Sequence, residues 1–216
     1  NSSARGRPQA CPFSFPEPDL TQPQPHPLRL AINGYGRIGR CFLRALHESP
    51  CRDRLQVVAI NEPAALESIV YLTRFDSTHG RFPGTVEVQG QHLLIDGEPI
   101  AVSHETTPEA VDWRALGIDL VVECSGHYSD RAGLQRFIDA GCPRLLLSHP
   151  ANSAADVDAT IVYGINHETL TGAERIVSNA SCTTNAVVPV LDLLAREIGI
   201  EHVLLTTLHS VMNDQP

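Results

Sequence analysis

The sequence predicts an α/β protein built on a doubly wound, mostly parallel sheet with a small antiparallel insertion. Three observations carry that prediction. Short apolar runs alternate with helical patterns from Leu28 onward, the layout of successive βα units. Three glycines follow the first run at G-x-G-x-x-G spacing, and a cluster of Gly- and Pro-marked segments interrupts the alternation between residues 85 and 105.

In chain order, residues 1 to 27 hold seven of the 16 prolines, a density that forbids helix and central strand alike and predicts an extended or disordered lead-in. LRLAIN (28 to 33) reads as a buried strand, followed by a helix over 37 to 47 with Ile38, Cys41, Phe42 and Ala45 on one face. LQVVAIN (55 to 61) is the next strand and 64 to 75 the next helix. TVEVQG, QHLLIDGE and PIAVSHE form the antiparallel insertion. IDLVVEC (118 to 124), RLLLS (144 to 148), ATIVYG (159 to 164) and RIVSN (175 to 179) continue the sheet, with a helix over 130 to 140. A helix from Cys182 to Ile198 and a strand over 201 to 209 follow. The expected organisation is a lead-in (1–27), a nucleotide-binding domain (28–180) and the truncated start of an α+β catalytic domain (181–216).

Composition removes several classes of function. All 16 basic residues are arginine, so lysine Schiff-base chemistry and a phosphate loop ending in Gly-Lys-Ser/Thr are excluded. Against 25 acidic residues they leave a formal charge of −9 and are scattered, which argues against nucleic-acid and membrane-surface binding. No apolar run approaches the roughly 18 residues of a membrane helix, and the first residues lack the apolar stretch of a secretory signal. Six cysteines at irregular spacing suit neither a disulfide scaffold nor a metal knuckle; no metal site and a reduced, cytoplasmic setting are expected. The chain does not begin with Met and is read as a piece of a longer one.

The first candidate site is the turn at Gly34, Gly36 and Gly39. In such a turn the first glycine permits the bend, the second lets backbone approach a pyrophosphate, and the third lets helix pack on strand, a Rossmann-type dinucleotide cradle. Arg37 and Ile38, the first helical residues, offer backbone N–H groups at the positive end of the helix. Glu62 ends the second strand 23 residues beyond Gly39; a carboxylate there accepts from the adenosine ribose hydroxyls and repels an added 2′-phosphate, which predicts NAD over NADP. Ser125 and Gly126 close a later strand at the same edge, as a cofactor contact or as an ordinary turn.

The second candidate site is Cys182 in SNASCTTN. A thiol in the first turn of a helix feels the positive dipole end, and neighbouring hydroxyls offer donors for an oxyanion or a phosphate. His209, at the end of the last expected strand, is the candidate base, since a parallel sheet can bring a strand end beside the start of the preceding helix. Read alone, a cysteine at a helix start is most often a small packed residue, and a histidine such as His209 a hydrogen-bonded structural one. The remaining histidines, His79 and His149 among them, read as loop or surface residues.

NGYGRIGR (33 to 40), AINE (59 to 62), DSTHGRF (76 to 82) and SNASCTTN with a histidine 27 residues after its cysteine resemble the glyceraldehyde-3-phosphate dehydrogenase superfamily. Glu62 and HSVMNDQP (209 to 216) are most similar to its bacterial D-erythrose-4-phosphate dehydrogenase branch. The resemblance implies that Cys182 attacks the aldehyde of a sugar phosphate, that His209 handles the proton as hydride leaves for NAD, and that the resulting thioester is released by water or by phosphate. Ser181 and Thr183 would bind substrate, Arg37, Ile38 and Glu62 would hold the cofactor, and the complete protein would be a homotetramer. Three departures stand out. Met212 replaces a threonine common in phosphorylating members, which favours water as acyl acceptor; Ala186 replaces a second cysteine; and Thr106 stands where the family often has arginine near the adenosine. The chain ends soon after His209, so this piece alone is expected to be inactive, with an apolar sheet face exposed and aggregation-prone; a bare NAD-binding module is the competing reading.

Overall fold

The structure, a computed structural model, describes residues 26–209. Most of the proline-rich lead-in, Cys11 and Met212 lie outside those residues. Nine strands form one sheet in the order β10-β11-β9-β8-β1-β2-β7-β6-β5. Its seven strands from β10 (Ala159–Thr160) through β11 (Ile176–Ser178), β9 (Leu145–Leu147), β8 (Leu120–Glu123), β1 (Leu28–Asn33), β2 (Leu55–Asn61) and β7 (Glu98–Ser103) pair in parallel. β6 (His92–Ile95) and β5 (Val86–Gln89) then continue it antiparallel. The antiparallel insertion is thus an extension of the main sheet, joined through β7. A separate two-stranded ladder, β3 (Phe75–Asp76) with β4 (Gly80–Arg81), was not anticipated from the sequence.

The sheet is wound on both faces, and the alternation inside β1 shows how. Leu30 and Ile32 point into one core with α1 (Arg37–Glu48) and α2 (Leu66–Arg74), through Leu43, Ile69 and Val70. Ala31 points to the other face, into a core with α3 (Arg131–Asp139) and the Trp113 loop. Trp113 is fully buried there and donates from Nε1 to the Pro108 carbonyl (2.7 Å); Phe137 stands edge-on to Tyr128 at 5.0 Å. α3 starts on an Asp130 cap, which accepts from Gly133 N–H at 2.9 Å.

Two expectations are corrected. The inward face of α1 is Gly39, Leu43 and Arg44, supported by Phe42 and Leu46, whereas Ile38 is 52% exposed and Ala45 faces solvent. The stripe is rotated because Gly39 must touch the β1 turn and because Arg44 turns inward, donating to the carbonyls of Arg81 (2.9 Å) and Gly80 (3.0 Å) while lying 5.3 Å from the Phe82 ring. The expected strand over 201–209 does not form. Those residues are irregular and exposed, with Leu204 and Leu208 at 96% and 97%. A strand exists only through a neighbour's ladder, and among the described residues none pairs with this segment. The preceding helix, α4 (Cys182–Glu197), likewise buries no residue. No helix among the described residues is long and apolar enough to cross a membrane.

Stability should therefore reside in residues before α4. Phe137→Ala is expected to cost about 3–5 kcal/mol in urea unfolding, and Leu204→Ser less than about 0.5 kcal/mol.

Candidate functional site: a dinucleotide cleft and a thiol on one sheet edge

In a doubly wound sheet, ligands bind at the carboxyl edge where the winding direction reverses. Here β1 connects outward to β2 on one side, and β8 returns to its other side, so the reversal lies between β1 and β8. Gly34 occupies that point with φ +84°, and a Cβ on it would stand 2.4 Å from the Ser125 nitrogen. Only glycine combines that backbone with that approach. A Cβ on Gly39 would stand 2.4 Å from the Gly34 carbonyl oxygen, so the helix start rests directly on the turn.

Gly36 differs from both: nothing lies within 4 Å of its missing side chain. It is also the N-cap of α1, whose first turn carries no side-chain cap and no acidic residue. Open space beside an uncapped helix N-terminus suits an anionic pyrophosphate. The adjoining cleft, about 230 Å³, is lined by Gly34, Gly36, Glu62, Thr106 and Ser125 among the residues expected from the sequence.

At the rim, Glu62 is held by two backbone donors, Tyr35 N–H on Oε2 (2.6 Å) and Ala64 N–H on Oε1 (3.1 Å). Each oxygen keeps a further lone pair for a ligand hydroxyl. These features fit NAD, with the ribose diol at Glu62 and the pyrophosphate at Gly36. Other expected residues stand off the cleft. Arg37 reaches outward toward Asp76 at 3.4 Å, Ile38 is exposed, and Gly126 makes an exposed turn at φ +74°. Backbone contact remains open to Arg37 and Ile38 as first-turn residues. Asp76 is itself held down to about 2 by the N–H groups of His79 and Thr78, with Arg37 adding to the effect.

A polar layer under the cleft was not expected from the sequence. Asn33, Asn61 and Glu123 end β1, β2 and β8 and are buried; the two asparagines line the cleft, and Glu123 lies beneath it, completely buried. Burial pushes the Glu123 carboxyl above its usual range, opposed by bonds from Ser125 and Asn33. A polar residue closing each apolar run was the available signal. His149, read as surface, instead sits half-buried beyond β9 with Nε2 3.1 Å from the Tyr128 carbonyl.

The second site begins immediately after β11, two strand spacings from β8 on the same edge, or about 10 Å. Ser181 caps α4, its Oγ accepting from Thr184 N–H at 3.0 Å and lying 2.8 Å from Thr184 Oγ1. Asn185 Nδ2 ties the turn down by donating to the carbonyls of Asn179 (2.7 Å) and Ser181 (3.0 Å). Cys182 is the first helical residue and is exposed. His209 arrives from the irregular segment and meets the neighbouring residue, Nε2 standing 3.0 Å from Thr183 Oγ1. Thiol, hydroxyl and imidazole thus share one helix start, although the strand that was to deliver His209 is absent.

A family model described as glyceraldehyde 3-phosphate dehydrogenase, NAD binding domain, matches residues 28–131. The model of the C-terminal domain of the same enzymes matches residues 181–216.

Among the described cysteines, burial pushes Cys124 and Cys142 up to about 12, whereas Cys182 is open to solvent. A thiol of pKa near 12 is thiolate in only about one molecule in ten thousand at pH 8. Iodoacetamide at that pH should label Cys182 while leaving Cys124 and Cys142 unmodified in the folded chain, as read by peptide mass spectrometry.

Proposed function

The chain belongs to the glyceraldehyde 3-phosphate dehydrogenase superfamily and carries its NAD-binding domain, and from that premise we propose that it oxidises erythrose 4-phosphate to 4-phosphoerythronate. The observation that supports this reading best is the placement of Cys182 and His209 around Thr183, on the same sheet edge as the dinucleotide cleft.

In this reading the Cys182 sulfur adds to the aldehyde carbon, and the carbonyl oxygen takes a proton to become the hydroxyl of a thiohemiacetal. His209 accepts that proton as the carbon gives up hydride. Bound NAD supplies the hydride acceptor. A thioester on Cys182 remains, and water cleaves it to release the acid and restore the thiol. Thr183 offers the substrate a hydroxyl beside the sulfur. Ser181 spends part of its hydrogen-bonding capacity on the α4 cap, through Thr184 N–H and Thr184 Oγ1, and offers the substrate what remains. Gly34, Gly36, Arg37, Ile38 and Gly39 form the pyrophosphate turn, Glu62 takes the ribose, and Thr106 and Ser125 form the facing walls, with Gly126 turning the chain beside Ser125. The complete enzyme would work as a homotetramer in the cytoplasm.

Erythrose 4-phosphate is preferred to glyceraldehyde 3-phosphate because Met212, which offers no hydrogen bond to a phosphate, makes water the better acyl acceptor. A second reading is an NAD-binding module without turnover. It is favoured by one observation: α4 buries no residue and 201–209 is exposed, so the described residues give the thiol no packed catalytic domain.

The test is NADH formation by the complete protein with each aldehyde, with and without inorganic phosphate. A kcat/KM for erythrose 4-phosphate about tenfold above that for glyceraldehyde 3-phosphate, unchanged by phosphate, is expected. Faster, phosphate-dependent oxidation of glyceraldehyde 3-phosphate would overturn the choice, and NAD binding without turnover would support the module. Glu62→Ser should shift the ratio of NAD to NADP affinity toward NADP by about tenfold or more, because it removes the charge that repels a 2′-phosphate.

A further inference from the structure

Beneath the cleft the strand ends are joined by a hydrogen-bonded chain that runs in one direction only. Register places Asn33 beside both Asn61 and Glu123, and Asn61 beside Ser103. The amide of Asn61 is oriented by a donor that cannot reverse: Glu105 N–H bonds Oδ1 at 2.9 Å, as does Ser103 Oγ. Its Nδ2 therefore faces Asn33 Oδ1 (2.8 Å) and the Glu105 carbonyl (3.0 Å). That orients Asn33 in turn, whose Nδ2 donates to Glu123 Oε2 at 2.5 Å. The other carboxylate oxygen, Oε1, accepts Ser125 N–H (2.7 Å) and the Ser125 hydroxyl, and Ser125 Oγ accepts His127 N–H at 3.2 Å.

Both termini of this chain are backbone N–H groups, so donors arrive at Glu123 from both sides. Position 123 must accept on both of its atoms, which a carboxylate does and a carboxamide cannot. The two ends are also the two walls of the cleft, Glu105 to Pro108 on one side and Ser125 to Tyr128 on the other. We infer that Glu123, acting through Asn33 and Asn61, is a positioning residue that holds these walls at the separation a bound dinucleotide requires. The inference rests on the NAD reading of the cleft.

The test is NAD titration by calorimetry of the 216-residue chain and two variants, with urea unfolding run in parallel. Glu123→Gln leaves one donor facing another and should weaken NAD binding about tenfold or more at temperatures where the variant remains folded. Adding Asn33→Asp moves the carboxylate one link along the chain. The introduced amide at 123 then donates to position 33, accepts from Ser125, and every junction is again matched. The double variant should recover NAD affinity to within about threefold of the unaltered chain. Loss of stability alone would change the urea midpoint without this loss and recovery of affinity. Glu123→Gln with unchanged affinity, or a folded double variant binding as weakly as the single, would overturn the brace. If Glu123→Gln does not fold, the double variant decides: near-original affinity supports the proposal and weak binding overturns it. Absence of NAD binding by the unaltered chain would instead overturn the cofactor reading on which the proposal stands.

Discussion

Between β1 and β8 the backbone passes so close that the missing side chain of Gly34 would fall 2.4 Å from the Ser125 nitrogen. That contact depends on a parallel pairing in which Asn33 meets Glu123, and the residues that follow the two strands, Gly34, Gly36, Cys124 and Ser125, line the cleft. The start of α1 is stacked on the same turn through Gly39, so the direction of the helix and the position of its uncapped N-terminus follow from it. The two cores meet the same demand from opposite faces. Leu30 and Ile32 secure β1 to α1 and α2, while Ala31, Val121 and Phe137 secure the other side. A pyrophosphate site made of backbone needs this rigidity, because N–H groups cannot adjust as side chains do.

Polar groups beneath the cleft complement the contact. Among the described residues no arginine bonds the buried Glu123, and directed hydrogen bonds from Asn33 and Ser125 make such burial tolerable. Arginine is used elsewhere to brace backbone: Arg44 binds two carbonyls of the β4 segment, Arg74 the Val86 carbonyl, and Arg29 the carbonyls of Gly117 and Leu116. Its planar fork of donors reaches neighbouring carbonyls that a point-charge ammonium serves less well. A chain without lysine loses nothing in a chemistry whose proposed nucleophile is a thiol and whose proposed base is an imidazole.

Much of the fold was legible because the parallel strands are apolar runs closed by turn residues; β1 and β2 have the bounds expected from composition alone. The cradle was legible for the same local reason, since a glycine turn is specified by its own sequence. What escaped depends on distant partners. The phase of α1 is set by the β1 turn and by carbonyls 36 and 37 residues away from Arg44. Asn33, Asn61 and Glu123 look like strand-ending polar residues until register sets them side by side. Residues 201–209 have the composition of a strand, yet composition cannot supply the neighbouring ladder that a strand requires. His209 nonetheless stands at the α4 helix start, with Nε2 3.0 Å from Thr183 Oγ1.

The most direct measurement of the central claim is hydrogen exchange of the chain with and without NAD, read peptide by peptide. If the β1–β8 edge is the dinucleotide site, protection should rise in the segments around Gly34 to Gly39, Glu62, Thr106 and Ser125 to Tyr128. It should stay unchanged in the apolar groove at the opposite edge, lined by Leu28, Leu120, Leu145 and Leu170. Protection confined to that groove, or none around Gly34 to Gly39 at saturating NAD, would contradict it.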